Sequence, residues 1–272
     1  MLNLRLRIES PLTVETEGLT TDWACDKSLG EIERFPIQLG GDTIPLAEAF
    51  EVTGDPRDQR HTWEGELDRV HWIAAGMASG EVRIVGSAGR HAGSQMRGGR
   101  LVIEGNAGDF VGAHLVRGSI HVRGDAGDGA GGAYPGARRG MRGGCLLVDG
   151  CAGDEAGALM RRGVIAVGGD LGALAGRHML AGTIVGFGSW GRYPGMEMRR
   201  GTLLALGASP PSLGPTFAYA CQLTTKLAVL IGRHLLDQGF RAPNEIPTQL
   251  EMANGDALAL GRGEVLWRTD AR

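Results

Sequence analysis

Three aspartates recur at one position of a repeated sequence unit, which makes them candidates for acid or metal chemistry. Asp109, Asp128 and Asp154 each follow an Ala-Gly dipeptide. If successive units stack at strand spacing, the three carboxylates lie about 4.8 Å apart, and like charges at that distance repel. A bound cation could relieve the repulsion. Alternatively, each carboxylate could accept backbone N–H groups from its own glycine turn, and the sequence leaves both interpretations open.

The histidines and cysteines do not form a recognisable ligand set. His114 and His178 share a repeat position, but they lie three units apart, about 14 Å at strand spacing, too far to share a metal ion. His91 occupies a different position. No CxxC pair occurs among the cysteines, which argues against a zinc knuckle or an iron–sulfur cluster; they are Cys25, Cys145, Cys151 and Cys221. With no nucleophile elbow, P-loop or HExxH motif, the sequence predicts neither catalytic residues nor a metal site.

Arginines cluster where one unit ends and the next begins, at Arg97, Arg117, Arg142, Arg161, Arg162, Arg199 and Arg200. An interruption of the repeat near residues 132–143 adds Arg138 and Arg139 beside Arg142. All these positions fall on one edge of the stack, so the sequence predicts a positive edge suited to an acidic partner or a polyanionic ligand. A solvated face is the alternative. Arg138, Arg139 and Arg142 are the candidates for contact with an anionic cofactor tail or a partner.

A unit that recurs every 19 residues must position these side chains. The unit is G-x-[ILV]-x-[VIA]-x-G-x-[AL]-G-x-x-[AV]-G-x-x-[ML]-x-x-G, and copies begin at Gly80, Gly99, Gly118, Gly144, Gly163 and Gly182, with a half copy from Gly201. The step from Gly118 to Gly144 alone is longer, by seven residues. A period near 20 residues is typical of solenoids. We therefore predict a mainly β fold, a right-handed parallel β-helix of about seven coils, with the hand taken from the preference of crossover connections.

Stacking of the units predicts columns of buried side chains. The first column is Val82, Leu101, Ile120, Leu146, Ile165, Ile184 and Leu203. The second column is Ile84, Ile103, Val122, Val148 and Val167. A third holds Met77, Met96, Leu115, Met160, Met179 and Met198. A methionine stripe can form an adaptable binding groove, but at this spacing we interpret it as core.

The repeat divides the chain into a non-repeating segment 1–49, a β-helix 50–208, and a linker with a helical cap 209–272. Alternating leucines predict a strand from Leu2 to Ile8. Residues Phe50 to Gly54 resemble the strand half of a repeat and could begin an irregular first coil. A broad apolar face predicts a helix over 216–240, which we expect to cap the last coil because an open strand edge must be covered. A docking helix for another subunit is the alternative.

The composition agrees with a folded chain that lacks a global charge. Hydrophobic residues make up 42% of the 272 residues, and the 47 glycines sit mostly at repeat-locked positions. The net charge of −3 argues against general attraction to nucleic acid or an acidic membrane. The start, MLNLRLRIES, shows no cleavage signature, and no apolar run reaches 18 residues. We expect a cytoplasmic protein with reduced thiols.

Several motifs resemble the C subunit of formylmethanofuran dehydrogenase. They are the run from Leu67 to Met77, the Gly-Asn-Ala-Gly-Asp block from Gly105 to Asp109, the G-x-x-M-x-x-G closures, and the Arg-Arg-Gly-Met-Arg-Gly-Gly insertion from Arg138 to Gly144. The likeness covers roughly residues 50–208. The same coil resembles the C-terminal β-helix domain of glutamate synthase, whose amidotransferase and flavin domains are absent from this sequence.

This resemblance implies a subunit of one of two complexes. One is the bacterial formyltransferase/hydrolase complex of one-carbon (formaldehyde) oxidation, which uses tetrahydromethanopterin and methanofuran-type carriers. The other is the archaeal molybdenum or tungsten formylmethanofuran dehydrogenase. An arginine-rich, lysine-poor composition favours a GC-rich bacterium and hence the first. The resemblance implies a non-catalytic scaffold in a hetero-oligomer, with zinc and the reactions on amidohydrolase-like, formyltransferase and molybdopterin-enzyme-like subunits. An autonomous polysaccharide-acting β-helix enzyme and an end-to-end structural polymer are the alternatives of other classes.

Overall fold

The protein is mainly β, and most of its strands belong to one large sheet. The computed structural model describes residues 1–243 and 245–270, so residues 244, 271 and 272 of the predicted C-terminal segment lie outside the described part. The strands are β1 (Leu2–Leu6), β2 (Val14–Glu15), β3 (Pro36–Leu39), β4 (Asp42–Pro45), β5 (Phe50–Gly54), β6 (Arg60–Glu64), β7 (Val70–His71), β8 (Glu81–Val85), β9 (Arg100–Ile103), β10 (Ser119–Val122), β11 (Arg142–Val148), β12 (Arg162–Val167), β13 (Thr183–Gly186), β14 (Arg200–Ala205), β15 (Ala218–Thr224), β16 (Gln249–Gly255) and β17 (Arg262–Arg268). The α-helices are α1 (Thr21–Ala24), α2 (Leu29–Glu33), α3 (Leu46–Ala49) and α4 (Leu227–Asp237).

The large sheet is mixed, but its central strands all run parallel. Its thirteen strands lie in the order β15-β16-β17-β14-β13-β12-β11-β10-β9-β8-β6-β1-β5, and a second sheet has the order β4-β3-β2-β7. Every neighbouring pair from β17 to β1 is parallel, whereas β5, β16 and β15 pair antiparallel at the two ends. No helix in the described ranges is long and apolar enough to cross a bilayer.

The strand register confirms the predicted columns. Residues of the first column are Cα partners from one strand to the next, from Val82 on β8 to Leu203 on β14, and each is at most 1% exposed. Members of the second column pair in the same way. The methionine column is fully buried, as expected of core, and Met141 fills its place in the repeat that carries the insertion. At about 1.5–3 kcal/mol for each buried side chain, these columns are a main source of stability.

Close approach of neighbouring backbones explains the glycine that opens each repeat. Gly144 has a φ of +82°, and a Cβ there would lie 2.7 Å from the carbonyl oxygen of Gly118, which opens the preceding repeat. Gly163 has a φ of +105°, and a Cβ on it would lie 2.7 Å from the carbonyl oxygen of Gly144. A side chain at either position would strain the backbone and push two repeats apart. Stacking therefore requires these glycines.

The repeat units begin with β6, one unit before the first regular repeat, and β1 extends the parallel strands beyond it. In the register of β6 and β8, His61 lies opposite Val82 and Trp63 opposite Ile84. The expectation that Phe50–Gly54 supplies the first repeat strand is wrong, because β5 pairs antiparallel with β1 at the end of the sheet. His61 and Val82 are 21 residues apart rather than 19. This irregular spacing conceals the first unit from a search at the regular period.

The C-terminal segment contains a strand within the range predicted as a helix. Residues Ala218–Thr224 form β15, and helix α4 extends only over Leu227–Asp237. The apolar residues of 216–240 fit a helical period, but β15 pairs antiparallel with β16. Hydrogen bonds to a strand distant in sequence thus override the local pattern.

A strand, and not the predicted helix, covers the last repeat. β17 pairs parallel with β14, and its Val265 lies opposite Leu203 and extends the buried first column. Phe217 packs against the same core. Helix α4 instead belongs to a separate apolar cluster on the other face of the sheet, where its Ala228 and Leu235 join Leu147, Ala166, Val185, Leu204, Phe240 and Leu266. The expectation of a helical cap is therefore wrong: the sheet is extended in register.

Candidate functional site

Seven exposed arginines stand where successive repeats join, and we call them the arginine edge: Arg97, Arg117, Arg142, Arg161, Arg162, Arg199 and Arg200. None of the seven forms an ion pair within residues 1–243 and 245–270, whereas Arg83 pairs with Glu104 and Arg177 with Glu155. Arg142 and Arg162 are Cα partners on β11 and β12. Like charges directly opposite each other repel. An anion bound at this edge would reduce that repulsion.

The three candidate arginines of the insertion are all exposed. Arg138 and Arg139 precede Gly140, whose backbone N–H donates to the carbonyl oxygen of Leu159 at 2.8 Å. Arg142 begins β11, and its backbone N–H donates to the carbonyl oxygen of Leu115 at 2.7 Å. Their guanidinium groups are therefore accessible to an acidic partner or ligand.

The aspartate ladder is tied to the backbone of the following repeat. Oδ1 of Asp109 accepts the N–H of Asp128 at 3.0 Å, and Oδ1 of Asp128 accepts the N–H of Asp154 at 2.7 Å. Asp154 accepts from Ala173 in the same way at 2.7 Å. Each carboxylate thus satisfies an N–H one repeat further along, rather than in its own turn as expected. Within the described residues, no group of three or more His, Cys, Asp or Glu side chains could hold a metal ion.

The structure separates His178 from His91 and His114, as the repeat spacing predicts. Nδ1 of His178 lies 3.3 Å from Oε2 of Glu197. His114 and His91 contact Tyr134 of the insertion, with ring centroids 5.0 and 5.4 Å away. Burial lowers the pKa of His91 to about 4, with a smaller effect from Arg90, and burial also lowers the pKa of His114. Both imidazoles are therefore neutral at pH 7.

Sequence reasoning missed a cluster of polar side chains on the face of the sheet that carries α4, in which His121 is buried and Asp149 and Arg123 are partly exposed. Nε2 of His121 lies 2.8 Å from Oδ1 of Asp149, whose Oδ2 accepts a hydrogen bond from Arg123 at 3.1 Å. The His121 ring lies 6.5 Å from that of Phe240, beside the α4 cluster. Arg123 and Asp149 occupy the same position of successive units once the insertion is allowed for, so the repeat did hold a signal for this group. Its place beneath the C-terminal segment indicates a structural role.

The cysteines form no disulfide among the described residues. All four are free. Burial raises the pKa of the Cys145 thiol to about 12, so it is protonated at neutral pH and a poor nucleophile.

The chain is similar over its whole length to a chain of the formyltransferase/hydrolase complex from Methylorubrum extorquens, a crystal structure determined in complex with methylofuran. The TM-score is 0.91 and the sequences are 34% identical, with 98% of this chain and 99% of that chain covered. The C subunit of molybdenum-containing formylmethanofuran dehydrogenase 1 from Methanosarcina barkeri is 35% identical over 84 residues, which are 29% of this chain. That match spans 28% of the relative's length. No protein-family model matches the chain.

The two similarities agree with the motifs that indicated the family. The local match is to a C subunit by name, and the full-length match extends the relationship over both flanks of the repeat. The chain therefore belongs to the same family as its full-length relative in the formyltransferase/hydrolase complex, and part of it is similar to a C subunit of formylmethanofuran dehydrogenase.

Proposed function

We propose that this chain is a non-catalytic scaffold subunit of a bacterial formyltransferase/hydrolase complex. Such a complex would convert formyl-tetrahydromethanopterin to formate through a formylmethanofuran-type carrier. The observation that carries the proposal is the match over 98% of this chain to a chain of that complex. The match to the archaeal molybdenum dehydrogenase extends over 29% of the chain, so membership of a dehydrogenase complex is the second candidate.

In this proposal the reactions belong to the partner subunits. An amidohydrolase-like chain would carry zinc, a formyltransferase would transfer the formyl group, and a molybdopterin-enzyme-like chain would complete the hetero-oligomer. Our scaffold would be a right-handed parallel β-helix of about seven coils within residues 50–208, with its first coil strand at β6 (Arg60–Glu64), between the flanks 1–49 and 209–272. The columns in register support it, because stacked repeats form rigid, extended binding surfaces.

Purification of the native protein tests this assignment. Co-elution of an amidohydrolase-like chain and a formyltransferase, with formate production by the assembly and none by the isolated chain, is the expected result. Co-elution of a redox-active molybdenum or tungsten subunit would favour the dehydrogenase instead. Turnover of an acidic glycan by the isolated chain would contradict the scaffold role.

A second part of the proposal concerns the arginines of the insertion. We infer that Arg138, Arg139 and Arg142 guide the anionic tail of the carrier. The support is that these side chains are exposed and that the arginine edge beside them has no internal carboxylate partners among the described residues. Exposed ion pairs contribute about 0.2–1 kcal/mol each.

Replacement of all three with alanine tests the tail contact in the assembled complex. At about 1–2 kcal/mol in total, KM for the tailed carrier should rise roughly 5–30-fold, with kcat and the set of co-purifying chains unchanged. The matched control replaces Arg5, Arg7 and Arg57, which are exposed outside the repeats, and removes the same charge. A KM unchanged by the first triple variant, or raised equally by both, would refute the contact.

A further inference from the structure

Tyr134 folds back from the insertion onto side chains of the preceding repeats. We call residues 132–143 the insertion loop. The Tyr134 ring is half-buried, and its centroid lies 5.2 Å from Phe110, 5.4 Å from His91 and 6.1 Å from Trp72. A single ring therefore contacts three successive units of the stack.

Trp72, His91 and Phe110 occupy equivalent positions in those units, and we call them the aromatic column. Trp72 stacks on His91 at 4.2 Å and 18°, and His91 stacks on Phe110 at 5.5 Å and 11°. All three have left-handed backbones, with φ of 65°, 66° and 59°. The shared backbone conformation gives the three rings a common direction, which lets them stack.

Glycine replaces the aromatic residue in the repeat that carries the insertion. Gly129 keeps the left-handed φ of the column, at +68°, and a Cβ on it would lie 2.7 Å from Cδ1 and Cε1 of Phe110. A larger residue would collide with the Phe110 ring. The aromatic column thus ends at Phe110, and the Tyr134 ring from the insertion loop packs beside it, close to all three of its members.

Two hydrogen bonds complete the contact. The Tyr134 hydroxyl lies 3.0 Å from Nδ1 of His91, and the Tyr134 backbone N–H donates to Nε2 of His114 at 3.1 Å. The second bond requires an unprotonated Nε2, which agrees with the lowered pKa of His114. Burial also raises the pKa of Tyr134, so the hydroxyl keeps its proton and both bonds form at neutral pH.

The geometry points to Tyr134 as a positioning residue that holds the insertion loop on the aromatic column and fixes where Arg138 and Arg139 are presented. At the other end of the loop, Met141 is buried and its backbone N–H donates to the carbonyl oxygen of Gly131 at 3.0 Å. The two arginines therefore lie between two attachments. Any influence of Tyr134 on binding of the carrier rests on the proposed function, whereas the anchoring of the loop does not.

Limited proteolysis of the folded full chain by trypsin tests the anchor, because the loop offers cleavage sites after Arg138 and Arg139. Tyr134→Ala should raise the cleavage rate at these two sites about 10-fold, since cleavage follows the population of the open loop. Tyr134→Phe keeps the ring and should stay within about 3-fold of the wild type. Tyr193→Ala, at the aromatic-column position of the last repeat and 47% exposed, is the matched control and should have no effect.

Equal cleavage of wild type and Tyr134→Ala at these sites would overturn the inference. If Tyr134→Ala fails to fold by circular dichroism, His91→Ala provides the same test, because it removes the central ring of the aromatic column and one hydrogen bond. It should also raise cleavage about 10-fold, and an unchanged rate would overturn the inference.

Kinetics of the assembled complex separate this inference from the proposed function. Tyr134→Ala should raise KM for the tailed carrier at unchanged kcat, and Tyr134→Phe should restore it. If the triple arginine variant leaves KM unchanged while Tyr134→Ala still exposes the loop to trypsin, the tail contact fails and the anchor stands. If the arginine variant raises KM but Tyr134→Ala leaves both proteolysis and KM unchanged, the anchor fails and the tail contact stands.

Discussion

His61 is the polar member of an otherwise apolar column, and its protonation should control part of the stability. On β6 it lies between Leu2 and Val82 in the register of the sheet. The side chain is 1% exposed, and neither ring nitrogen has a hydrogen-bond partner among the described residues. Burial lowers the pKa of His61 from 6.5 to about 4, although Asp58 opposes the shift. The neutral form is therefore strongly favoured in the folded chain.

The sign of the pH effect follows from which state binds the proton first. An unfolded histidine takes up a proton as the pH falls through 6.5, whereas folded His61 does so only near pH 4. Between these two pKa values the unfolded state binds more protons than the folded state. The free energy of unfolding therefore decreases as the pH is lowered from 6.5 towards 4, and it does not depend on His61 well above pH 6.5. The full effect is about 3 kcal/mol, of which about 2 kcal/mol is lost between pH 7.5 and pH 5.0.

His61→Leu isolates this contribution, because leucine continues the apolar column and cannot titrate. In urea unfolding at pH 7.5 and 5.0, the wild type should lose about 2 kcal/mol more than the variant. Other histidines with lowered pKa values are present in both proteins, so their effects cancel: His71, His91 and His114. His234→Leu, on the exposed side of α4, is the control and should behave like the wild type. Equal pH dependence of the wild type and His61→Leu would refute the reasoning.

Three further predictions concern the stack itself. Ile165→Ala should lower the free energy of urea unfolding by about 2–5 kcal/mol, whereas Leu258→Ala, 80% exposed, should change it by less than about 0.5 kcal/mol; similar losses would contradict the column. Asp128→Ala should lower the free energy of unfolding by about 1 kcal/mol, because it removes the acceptor of the Asp154 N–H, whereas Asp128→Asn keeps an acceptor and should lower it much less. Equal losses in the two variants would show that the charge of Asp128 matters, and not the hydrogen bond. Gly144→Ala should lower the midpoint of thermal unfolding by about 5 °C or more, and an unchanged midpoint would argue against close stacking.

The interior of the stack could be predicted because equivalent residues make the same contacts in every unit. Once Val82, Leu101 and Ile120 share a position, strand pairing at one spacing places them in one column, and the structure agrees residue by residue. The arginine edge follows from the same periodicity. Position alone could not reveal that its arginines lack internal carboxylate partners, since ion pairs depend on which long side chains meet in space.

Contacts outside the period could not be predicted in the same way. The return of β17 to β14 joins residues such as Leu203 and Val265, which no local pattern relates. The direction in which the insertion loop folds is likewise set by Tyr134 meeting rings from three earlier units. A signal was present, because Trp72, His91 and Phe110 share one repeat position, but their significance depends on the left-handed backbone that turns them the same way.

The pairing of β17 with β14 has a consequence for synthesis on the ribosome. β17 lies about 60 residues after β14 in the chain, so the nascent polypeptide completes its repeats well before their final neighbour has emerged. During that delay Leu203 and the other side chains at the end of the stack stay open to water, beside an unpaired strand edge that another nascent chain could occupy. Slow translation between the two strands would lengthen this vulnerable period, and early binding by a chaperone at β14 would protect against it.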